Sequence, residues 1–342
     1  MLYQLSYAPA GGWASIGKPC ALQARQDHSA KIAPGGQSGK LATVGGDLHH
    51  PRMGNFSQPP PFLNKEAMHA PASKLIPSET LLLAYRSGIF PMADSREDPE
   101  VFWVEPRLRA ILPLEGFHCS HSLAKLLRQD RFTVTCNTAF DDVIAACAAP
   151  RAGRMESWIS DRIAASYNAL HMAGHAHSIE CWLTDDSGAR ELVGGLYGVS
   201  FDRVFCGESM FSTVRDASKV ALAWLTVLFR RAGGELLDCQ FLTDHLASLG
   251  AQEITQQEYL GLLKHATHPG KPEADLPAAY SSLLAEAAAG AGDGAAAGRG
   301  AGDGVAAAAG AAAGAGDVAL RSPATASSSP GKLIAQSLTH TS

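Results

Sequence analysis

The chain has 342 residues, of which 46% are hydrophobic, and its formal net charge is −5 at pH 7. This charge excludes a protein that coats nucleic acid through bulk positive charge, while a small basic patch remains compatible with it. The seven cysteines form no C-x-x-C pair and no Cys/His spacing suited to zinc, so we expect reduced thiols and no metal. No apolar run of about 18 residues occurs outside the Ala/Gly-rich C-terminal region, and no membrane span is therefore expected.

Both ends of the chain have the composition of flexible polypeptide. Residues 1–72 are rich in Gly, Pro, Ser, Gln and His, and they predict a disordered arm, with a weak organelle transit segment as the alternative. Residues 35–40, GGQSGK, resemble a phosphate-binding loop, but Leu41 replaces its Ser or Thr and no strand precedes it. Residues 285–319 repeat Ala/Gly blocks in which glycine disfavours a helix, so we expect a flexible tail that packs against nothing over residues 271–342.

The central region carries helix and strand patterns in alternation. Ser78 and Ser160 have the side chain and position of helix caps, and Gly88 and Gly174 follow the corresponding helices as terminators. The helix candidates are residues 78–88, a segment from about 139, residues 160–174 and residues 216–234. The strand candidates are residues 132–135, 177–183, 191–200, 204–208 and 235–241.

The order of the later elements predicts how they are arranged. Three successive strands joined by short turns, from residue 177 to residue 208, predict an antiparallel meander. A long amphipathic helix and the strand 235–241 follow, and this strand is expected to return beside the last strand of the meander. The fold class predicted from this order is α+β.

Strand 235–241, ELLDCQF, places two polar groups where they can act together. In an extended chain, Asp238 and Gln240 point to one face, while Leu237, Cys239 and Phe241 point to the other. The end of the neighbouring strand carries a glutamate, residue 208, so the three polar side chains are expected to converge on one cleft. The alternative is that the strand-end pair only hydrogen-bonds loop backbone.

Two further groups were considered for metal binding or covalent catalysis. His175 and His177 share one strand face, but Glu180 lies on the other, so the geometry opposes a three-ligand metal site. Ser209 and Ser212 have no adjacent His/Asp arrangement that identifies a nucleophile. The sequence therefore gives no support for covalent catalysis.

Aromatic and basic side chains offer possible contacts to nucleic acid. Trp103 and Trp158 have the character either of core residues or of stacking platforms for a base. Lys125 and Arg128 lie in a helical pattern where they face either phosphates or solvent. Residue types and spacing alone leave both alternatives open.

Taken together, eight segments resemble the leucyl/phenylalanyl-tRNA-protein transferase family. They are AYRSGIFPM, FWVEPR, SWIS, GHAHSIECW, LVGGLYGV, FCGESMFS, DASKVAL and LLDCQFLTDHLASLGA, and they stand in the order expected of that family. The resemblance covers residues 75–266. It implies a small N-terminal domain, assigned to residues 73–135, and a catalytic domain with an acetyltransferase-like (GNAT) fold, assigned to residues 136–270. A monomer is expected.

The resemblance also implies a reaction. Enzymes of this family move leucine or phenylalanine, and sometimes methionine, from the 3′ end of an aminoacyl-tRNA to the N-terminal amine of a protein. The usual acceptor begins with Lys or Arg, and the product is marked for degradation by the N-degron route. The aminoacyl ester is already activated, so the reaction is aminolysis and needs no cofactor.

Residue by residue, the resemblance assigns roles to the polar cluster. Asp238 is expected to orient Gln240, and Gln240 to contact the attacking amine. A carboxamide is a poor base, so positioning is favoured over proton abstraction. Glu208 is expected to bind near the aminoacyl group.

The remaining roles implied by the resemblance concern substrate and tRNA contacts. The candidate pocket for the aminoacyl side chain is formed by Phe205, Met210, Leu196 and Leu237. The residues expected around the terminal adenosine are Trp103 and Trp158. The residues expected to meet the acceptor stem are Lys125 and Arg128.

Two rival functions belong to other classes. An acetyltransferase using acetyl-CoA is disfavoured because the glycine series of its pyrophosphate loop is missing from FCGESMFSTVRDASK. A catalytically silent binder of tRNA or N-terminal peptides would not need the polar triad. The expected location is the cytoplasm, with an organelle as second choice, and a fragment of residues 73–270 is expected to keep activity.

Overall fold

The computed structural model describes residues 75–98, 100–150, 156–296 and 329–339. The arm predicted over residues 1–72 lies outside these residues, as does most of the Ala/Gly-rich region. The helices are α1 (Ser78–Arg86), α2 (His121–Arg128), α3 (Phe140–Ala148), α4 (Asp161–Met172), α5 (Ala217–Arg231), α6 (Asp244–Ala247), α7 (Gln256–Ala266), α8 (Leu276–Ala296) and α9 (Pro330–Thr339). The strands are β1 (Phe90–Met92), β2 (Phe102–Val104), β3 (Leu108–Ile111), β4 (Thr133–Cys136), β5 (Ala176–Thr184), β6 (Arg190–Phe201), β7 (Val204–Ser212), β8 (Leu236–Gln240) and β9 (Gln252–Thr255).

Seven strands form one mixed sheet in the order β4-β5-β6-β7-β8-β3-β9. The predicted antiparallel meander is confirmed as β5-β6-β7, and β8 returns beside β7 as a parallel neighbour. All other neighbours in this sheet pair antiparallel. The α+β class predicted from the order of elements is therefore confirmed.

Local signals explain where the helices begin. The Ser160 side chain accepts a hydrogen bond from Ile163 N and caps α4, as predicted. Ser78, in contrast, is the first helical residue of α1, and Pro77 takes the capping position without a side-chain hydrogen bond. Proline suits the start of a helix because it has no backbone N–H to leave unpaired.

The sheet buries an apolar cluster on each face. One cluster joins the sheet to α1, α3, α4 and α7, and we call this side the α4 face. The other joins it to α2, α5, α8 and α9, and we call this side the α5 face. The helices thus form two layers that cover the sheet and position the residues between them.

The sheet crosses the predicted domain boundary between residues 135 and 136. Strands β3 and β4 lie within residues 73–135, which were assigned to a small N-terminal domain, yet both are strands of the seven-stranded sheet. The separate element of that region is the two-stranded sheet β1-β2. A boundary at 135/136 would separate β3 and β4 from the other five strands of this sheet.

The expectation that residues 271–342 pack against nothing is wrong for the described part of that region. Leu283 of α8 and Ile334 of α9 are both fully buried in the α5-face cluster. Polar contacts fix the two helices as well: Tyr280 donates to Val134 O at 2.9 Å. Apolar positions at helical spacing on either side of the Ala/Gly run outweigh its low helix propensity, and packing supplies the stability that the isolated helices lack.

Cutting the chain after residue 270 is therefore expected to destabilise the protein. Burial of a Leu or Ile side chain contributes about 1.5–3 kcal/mol, so loss of the buried residues of α8 and α9 is expected to lower Tm by about 10 °C or more. The measurement is thermal unfolding of the full chain and of residues 1–270, followed by circular dichroism.

Point variants in α9 test the same packing without truncation. Ile334→Ala is expected to lower Tm, while Gln336→Ala, at an exposed position of the same helix, leaves it unchanged. Equal melting of the full and shortened chains would contradict the role of α8 and α9 in the core.

Candidate active site

The candidate site lies where the parallel strands β7 and β8 end their pairing. Their register runs from Val204↔Leu236 to Cys206↔Asp238. Glu208 and Gln240 each lie two residues beyond this last pair, and Gln240 Nε2 donates to Glu208 Oε1 across the gap at 2.9 Å. Gln240 N also donates to Asp238 Oδ1 at 2.8 Å. The structure thus brings together the three polar side chains that the sequence predicted to converge.

A β-bulge places Glu208 on the α4 face. Tyr197 pairs with Ser209 and Gly198 pairs with Gly207, so Glu208 is the extra residue between them. Gly198 is required at this point because a Cβ there would lie 2.3 Å from the carbonyl oxygen of residue 206. The bulge brings the backbones of β6 and β7 close together and directs the Glu208 carboxylate to the α4 face.

The bulge also reverses the alternation of side chains after Glu208. Met210 lies in the α5-face cluster, while Phe211 lies in the α4-face cluster. Regular alternation would place Glu208 and Met210 on one face of the sheet, and the extra residue of the bulge puts them on opposite faces.

Gln240 occupies a strained turn at the end of β8. Its φ is +64°, in the left-handed region that a residue with a side chain adopts rarely. Phe241 N donates to Cys239 O at 2.8 Å, which closes a γ-turn centred on Gln240. The conformation costs about 1–3 kcal/mol, and the hydrogen bond between Gln240 N and Asp238 stabilises it.

The same turn corrects the predicted direction of Phe241. Leu237 and Cys239 lie in the α5-face cluster, as alternation predicts, but Phe241 packs against the α4-face cluster. Its ring meets Phe90 edge-on, with 5.8 Å between the centroids. The strand ends at Gln240, so the alternation that held up to Cys239 does not continue.

The Glu208 carboxylate is held by two tyrosines. Tyr85 donates to Oε1 at 2.7 Å and Tyr167 donates to Oε2 at 2.9 Å. All three side chains are fully buried. Burial raises the pKa of Glu208 to about 7, against the hydrogen bonds from the two tyrosines, which lower it. Neither tyrosine is among the site residues predicted from the sequence.

The two polar atoms of the Gln240 side chain differ in their hydrogen bonding. Its Nε2 faces the Glu208 carboxylate, whereas its Oε1 is buried and has no hydrogen-bond partner among the described residues. A buried acceptor of this kind loses its hydration without compensation. The atom is therefore suited to accept a hydrogen bond from an N–H or O–H group that enters the gap.

Asp238 is neutralised by a residue that the sequence analysis missed. Arg109 Nε donates to Oδ1 at 2.9 Å and Arg109 Nη2 donates to Oδ2 at 2.6 Å. Tyr259 OH also donates to Oδ2, at 2.9 Å. A single arginine within the apolar run from Leu108 to Leu112 was the available signal, because a buried charge in such a run needs a partner.

The apolar candidates lie together, but apart from the Glu208 carboxylate. The α5-face cluster contains the four candidate pocket residues, Phe205, Met210, Leu196 and Leu237. The polar side chains of the site contact residues of the α4-face cluster, including Tyr85 and Tyr167. The two groups therefore lie on opposite faces of the sheet.

The two candidate tryptophans and the two candidate basic residues lie on opposite faces of the sheet. Trp158 is buried in the α4-face cluster, and the partly buried Trp103 packs against it. Lys125 and Arg128 are exposed on α2, which packs on the α5 face. The structure therefore associates the tryptophans with the side of the sheet that carries Glu208 and does not bring the basic pair to it.

Of the two histidines considered as metal ligands, His177 lies in β5 and His175 directly precedes this strand. Among the residues that the structure describes, no group of three or more His, Cys, Asp or Glu side chains could hold a metal ion. His177 Nδ1 forms a hydrogen bond with Asn137 Nδ2 at 2.9 Å, and burial lowers the pKa of His177 to about 4.

Within the same described ranges, no helix is long and apolar enough to cross a membrane.

Fold and site together define an α+β protein with a buried carboxylate–carboxamide centre at the divergence of two parallel strands. A family model described as leucyl/phenylalanyl-tRNA protein transferase matches residues 111–264, and the model of its N-terminal domain matches residues 76–107. The two matches meet near β3.

Curated relatives match over much of the chain. A leucyl/phenylalanyl-tRNA--protein transferase of Novosphingobium aromaticivorans is 62% identical over 267 residues, which are 78% of this chain and 97% of the relative. One of Zymomonas mobilis is 56% identical over 194 residues, which are 57% of this chain and 70% of the relative. The chain belongs to the leucyl/phenylalanyl-tRNA protein transferase family, whose members are aminoacyltransferases, and the resemblance found in the sequence is confirmed.

The pKa of Glu208 predicts how stability depends on pH. Because this pKa is about 7 in the folded protein against an ordinary value of 4.5, the folded state binds more protons than the unfolded state between these values. The contribution of Glu208 to the free energy of unfolding therefore falls as pH rises from about 4.5 to about 7. A glutamine at this position does not titrate, so Glu208→Gln removes this fall in the free energy of unfolding, which is up to about 3 kcal/mol.

The measurement is urea unfolding of the wild type and of Glu208→Gln between pH 5 and pH 8. The stability of Glu208→Gln relative to the wild type is expected to increase steadily with pH. Glu79→Gln, at an exposed position in α1, serves as the control and follows the wild type. A constant difference between Glu208→Gln and the wild type across this range would show that Glu208 does not titrate as described.

Proposed function

We propose that this protein transfers leucine or phenylalanine from aminoacyl-tRNA to the N-terminal amine of an acceptor protein by ester aminolysis. Membership of the family supports the reaction class. The observation that carries the assignment is the buried, unpartnered Oε1 of Gln240, held at the gap between β7 and β8. It presents a fixed acceptor to an incoming amine.

The proposed chemistry uses positioning and electrostatics. The acceptor amine donates to Gln240 Oε1 and attacks the ester carbonyl, so a C–N bond forms through a tetrahedral oxyanion. The bond from the carbonyl carbon to the ribose oxygen then breaks. The amine loses a proton, and the leaving ribose oxygen takes one up. Gln240 is neutral and orients the amine, while Asp238 holds Gln240 through its backbone N–H.

Glu208 is proposed to bind near the aminoacyl group. Two tyrosine hydroxyls and Gln240 Nε2 already fix its carboxylate. A carboxylate with a pKa of about 7 gains from a nearby ammonium group, which favours its charged form. The α-amino group of the aminoacyl ester is such a group.

The aminoacyl side chain is proposed to lie on the α5 face, in a pocket lined by Phe205, Met210, Leu196 and Leu237. Beyond Cys206 and Asp238 the two parallel strands continue as diverging edges, so a substrate in the gap can contact both faces. Apolar side chains suit leucine and phenylalanine, and a flexible methionine accommodates both. Methionine itself is a further proposed donor residue.

The terminal adenosine of the tRNA is proposed to lie on the α4 face, and the acceptor stem is proposed to extend to α2 on the α5 face. Trp103 and Trp158 are the proposed contacts of the terminal adenosine, by stacking. Lys125 and Arg128 are the proposed contacts of the acceptor stem, where a small basic patch reconciles RNA binding with the net charge of −5. No metal or cofactor takes part in the proposed reaction.

The finer assignments follow the family resemblance. We propose that the acceptor begins with Lys or Arg, that the product enters the N-degron route, and that the enzyme acts as a cytoplasmic monomer. We also propose that residues 136–270 form an acetyltransferase-like (GNAT) domain, to whose sheet β3 and β4 are added. An antiparallel meander followed by a parallel pair of strands with the site at their divergence supports this fold assignment.

Transfer of labelled leucine from leucyl-tRNA to two reporters tests the function. The reporters differ only in an N-terminal Lys or Asp, and the wild type is expected to modify the Lys reporter. Gln240→Ala is expected to lower kcat by about a hundredfold, because the attacking amine loses its positioning contact. Gln252→Ala, at an exposed position in β9, is the matched control and keeps wild-type activity.

Each other outcome has a defined meaning. Transfer to the Asp reporter alone would overturn the proposed acceptor rule and leave the reaction standing. Wild-type activity in folded Gln240→Ala would contradict the role of Gln240. Absence of transfer by folded wild-type protein with either reporter would contradict the proposed reaction and favour a silent tRNA or peptide binder.

A further inference from the structure

Arg109 is a fully buried charged residue whose contacts all lie next to the proposed catalytic pair. Its side chain in β3 is 1% exposed. The guanidinium makes a two-pronged contact with the Asp238 carboxylate, with Nε to Oδ1 at 2.9 Å and Nη2 to Oδ2 at 2.6 Å. Burial alone would lower the pKa of Arg109, but the adjacent Asp238 carboxylate raises it above its ordinary value. The group is therefore a permanent cation.

Two aromatic rings fix the plane of this guanidinium. The Arg109 Cζ atom lies 4.7 Å from the centroid of Phe90 and 4.4 Å from the centroid of Tyr259. Arg109 Nη1 also donates to Gly88 O at 3.0 Å. Contacts from the α1–β1 segment and from α7 thus leave the guanidinium a single orientation.

A continuous chain of hydrogen bonds runs from Arg109 to Gln240. Asp238 Oδ1 accepts from both Arg109 Nε and Gln240 N, at 2.9 and 2.8 Å. Gln240 depends on that second bond because its backbone has a φ of +64°. Rotation of the Asp238 carboxylate would weaken the bond that stabilises the turn, and the Gln240 side chain would no longer be aimed at Glu208.

We propose that Arg109 is a positioning residue for aminoacyl transfer: it fixes the Asp238 carboxylate, and through it holds Gln240 in the γ-turn that presents its side chain to the substrate. The inference rests on the proposed function, since it concerns the rate of that reaction. Arg109 itself contacts no reacting atom. A lysine keeps the positive charge but cannot reproduce the two-pronged contact or the stacking between two rings.

The first test compares Arg109→Lys with Arg86→Lys. Arg86 is a matched control because it also donates to an aspartate, Asp202, at 3.1 Å and lies over an aromatic ring, Phe201, at 5.1 Å, but outside the hydrogen-bond chain. Both variants are checked for folding by circular dichroism and thermal unfolding. Arg109→Lys is expected to lower kcat for leucine transfer by about tenfold to a hundredfold, while KM for leucyl-tRNA stays within about twofold. Arg86→Lys is expected to keep both constants.

The second test separates positioning from general stability. In an Asp238→Ala background, Arg109→Lys is expected to lower kcat by less than about twofold, because the residue acts through the missing carboxylate. Guanidinium chloride at low millimolar concentration is expected to restore part of the kcat of Arg109→Ala. If Arg109→Ala does not fold, the Arg109→Lys measurements alone decide.

The results distinguish this inference from the proposed function. Two results would overturn the positioning role: a wild-type kcat in folded Arg109→Lys, or an equal fall in kcat on Arg109→Lys with and without Asp238. In both cases, activity of the wild type would still support the proposed reaction. A rise in KM with unchanged kcat would also overturn the positioning role. Absence of transfer by the wild type would overturn the proposed function, and with it the role of Arg109 in that reaction.

Discussion

Burial of the Asp238 carboxylate is the constraint on which the organisation of this protein depends. A carboxylate without solvent costs several kcal/mol unless it is paired and hydrogen-bonded. Arg109 and Tyr259 provide the compensation, and they come from β3 and α7. Strand β3 lies between β8 and β9, next to the strand that carries Asp238. The charge pair therefore joins segments far apart in the chain around one point of the sheet.

The divergence of β7 and β8 gives the site two different sides. Up to Cys206 and Asp238 the strands exchange hydrogen bonds, and beyond that pair the side chains of Glu208 and Gln240 bridge them. Polar groups gather on the α4 face and apolar groups on the α5 face. A substrate with a charged end and an apolar side chain matches this division, as an aminoacyl ester does. The bulge at Glu208 makes the division possible, because regular alternation would not separate Met210 from the carboxylate.

The sequence predicted the parts of the site that depend on regular strands. Period-two alternation placed Asp238 and Gln240 on one face, and the order of elements placed Glu208 beside them. Alternation failed where the backbone is irregular, at the bulge and at the turn that redirects Phe241. Arg109 was missed because β3 is a short strand defined by its partners rather than by its own pattern. The helices α8 and α9 were missed since their stability comes from packing against α5, which local composition does not reveal.

Backbone strain, an unpaired acceptor and a raised pKa occur together at Gln240 and Glu208. Gln240 has a positive φ and an unpaired Oε1, and Glu208 bears a pKa raised by burial. Arg109 pairs with Asp238, whereas two tyrosine hydroxyls and Gln240 Nε2 donate to the Glu208 carboxylate. An amine that donates to the carboxamide oxygen would satisfy the unpaired acceptor, and a protonated amine would favour the charged form of the carboxylate. The proposed aminolysis of an aminoacyl ester brings two amines to one centre. The acceptor amine would meet the unpaired Oε1 of Gln240 and the aminoacyl α-amino group would meet Glu208, so the two features of the site match the two amines of the reaction.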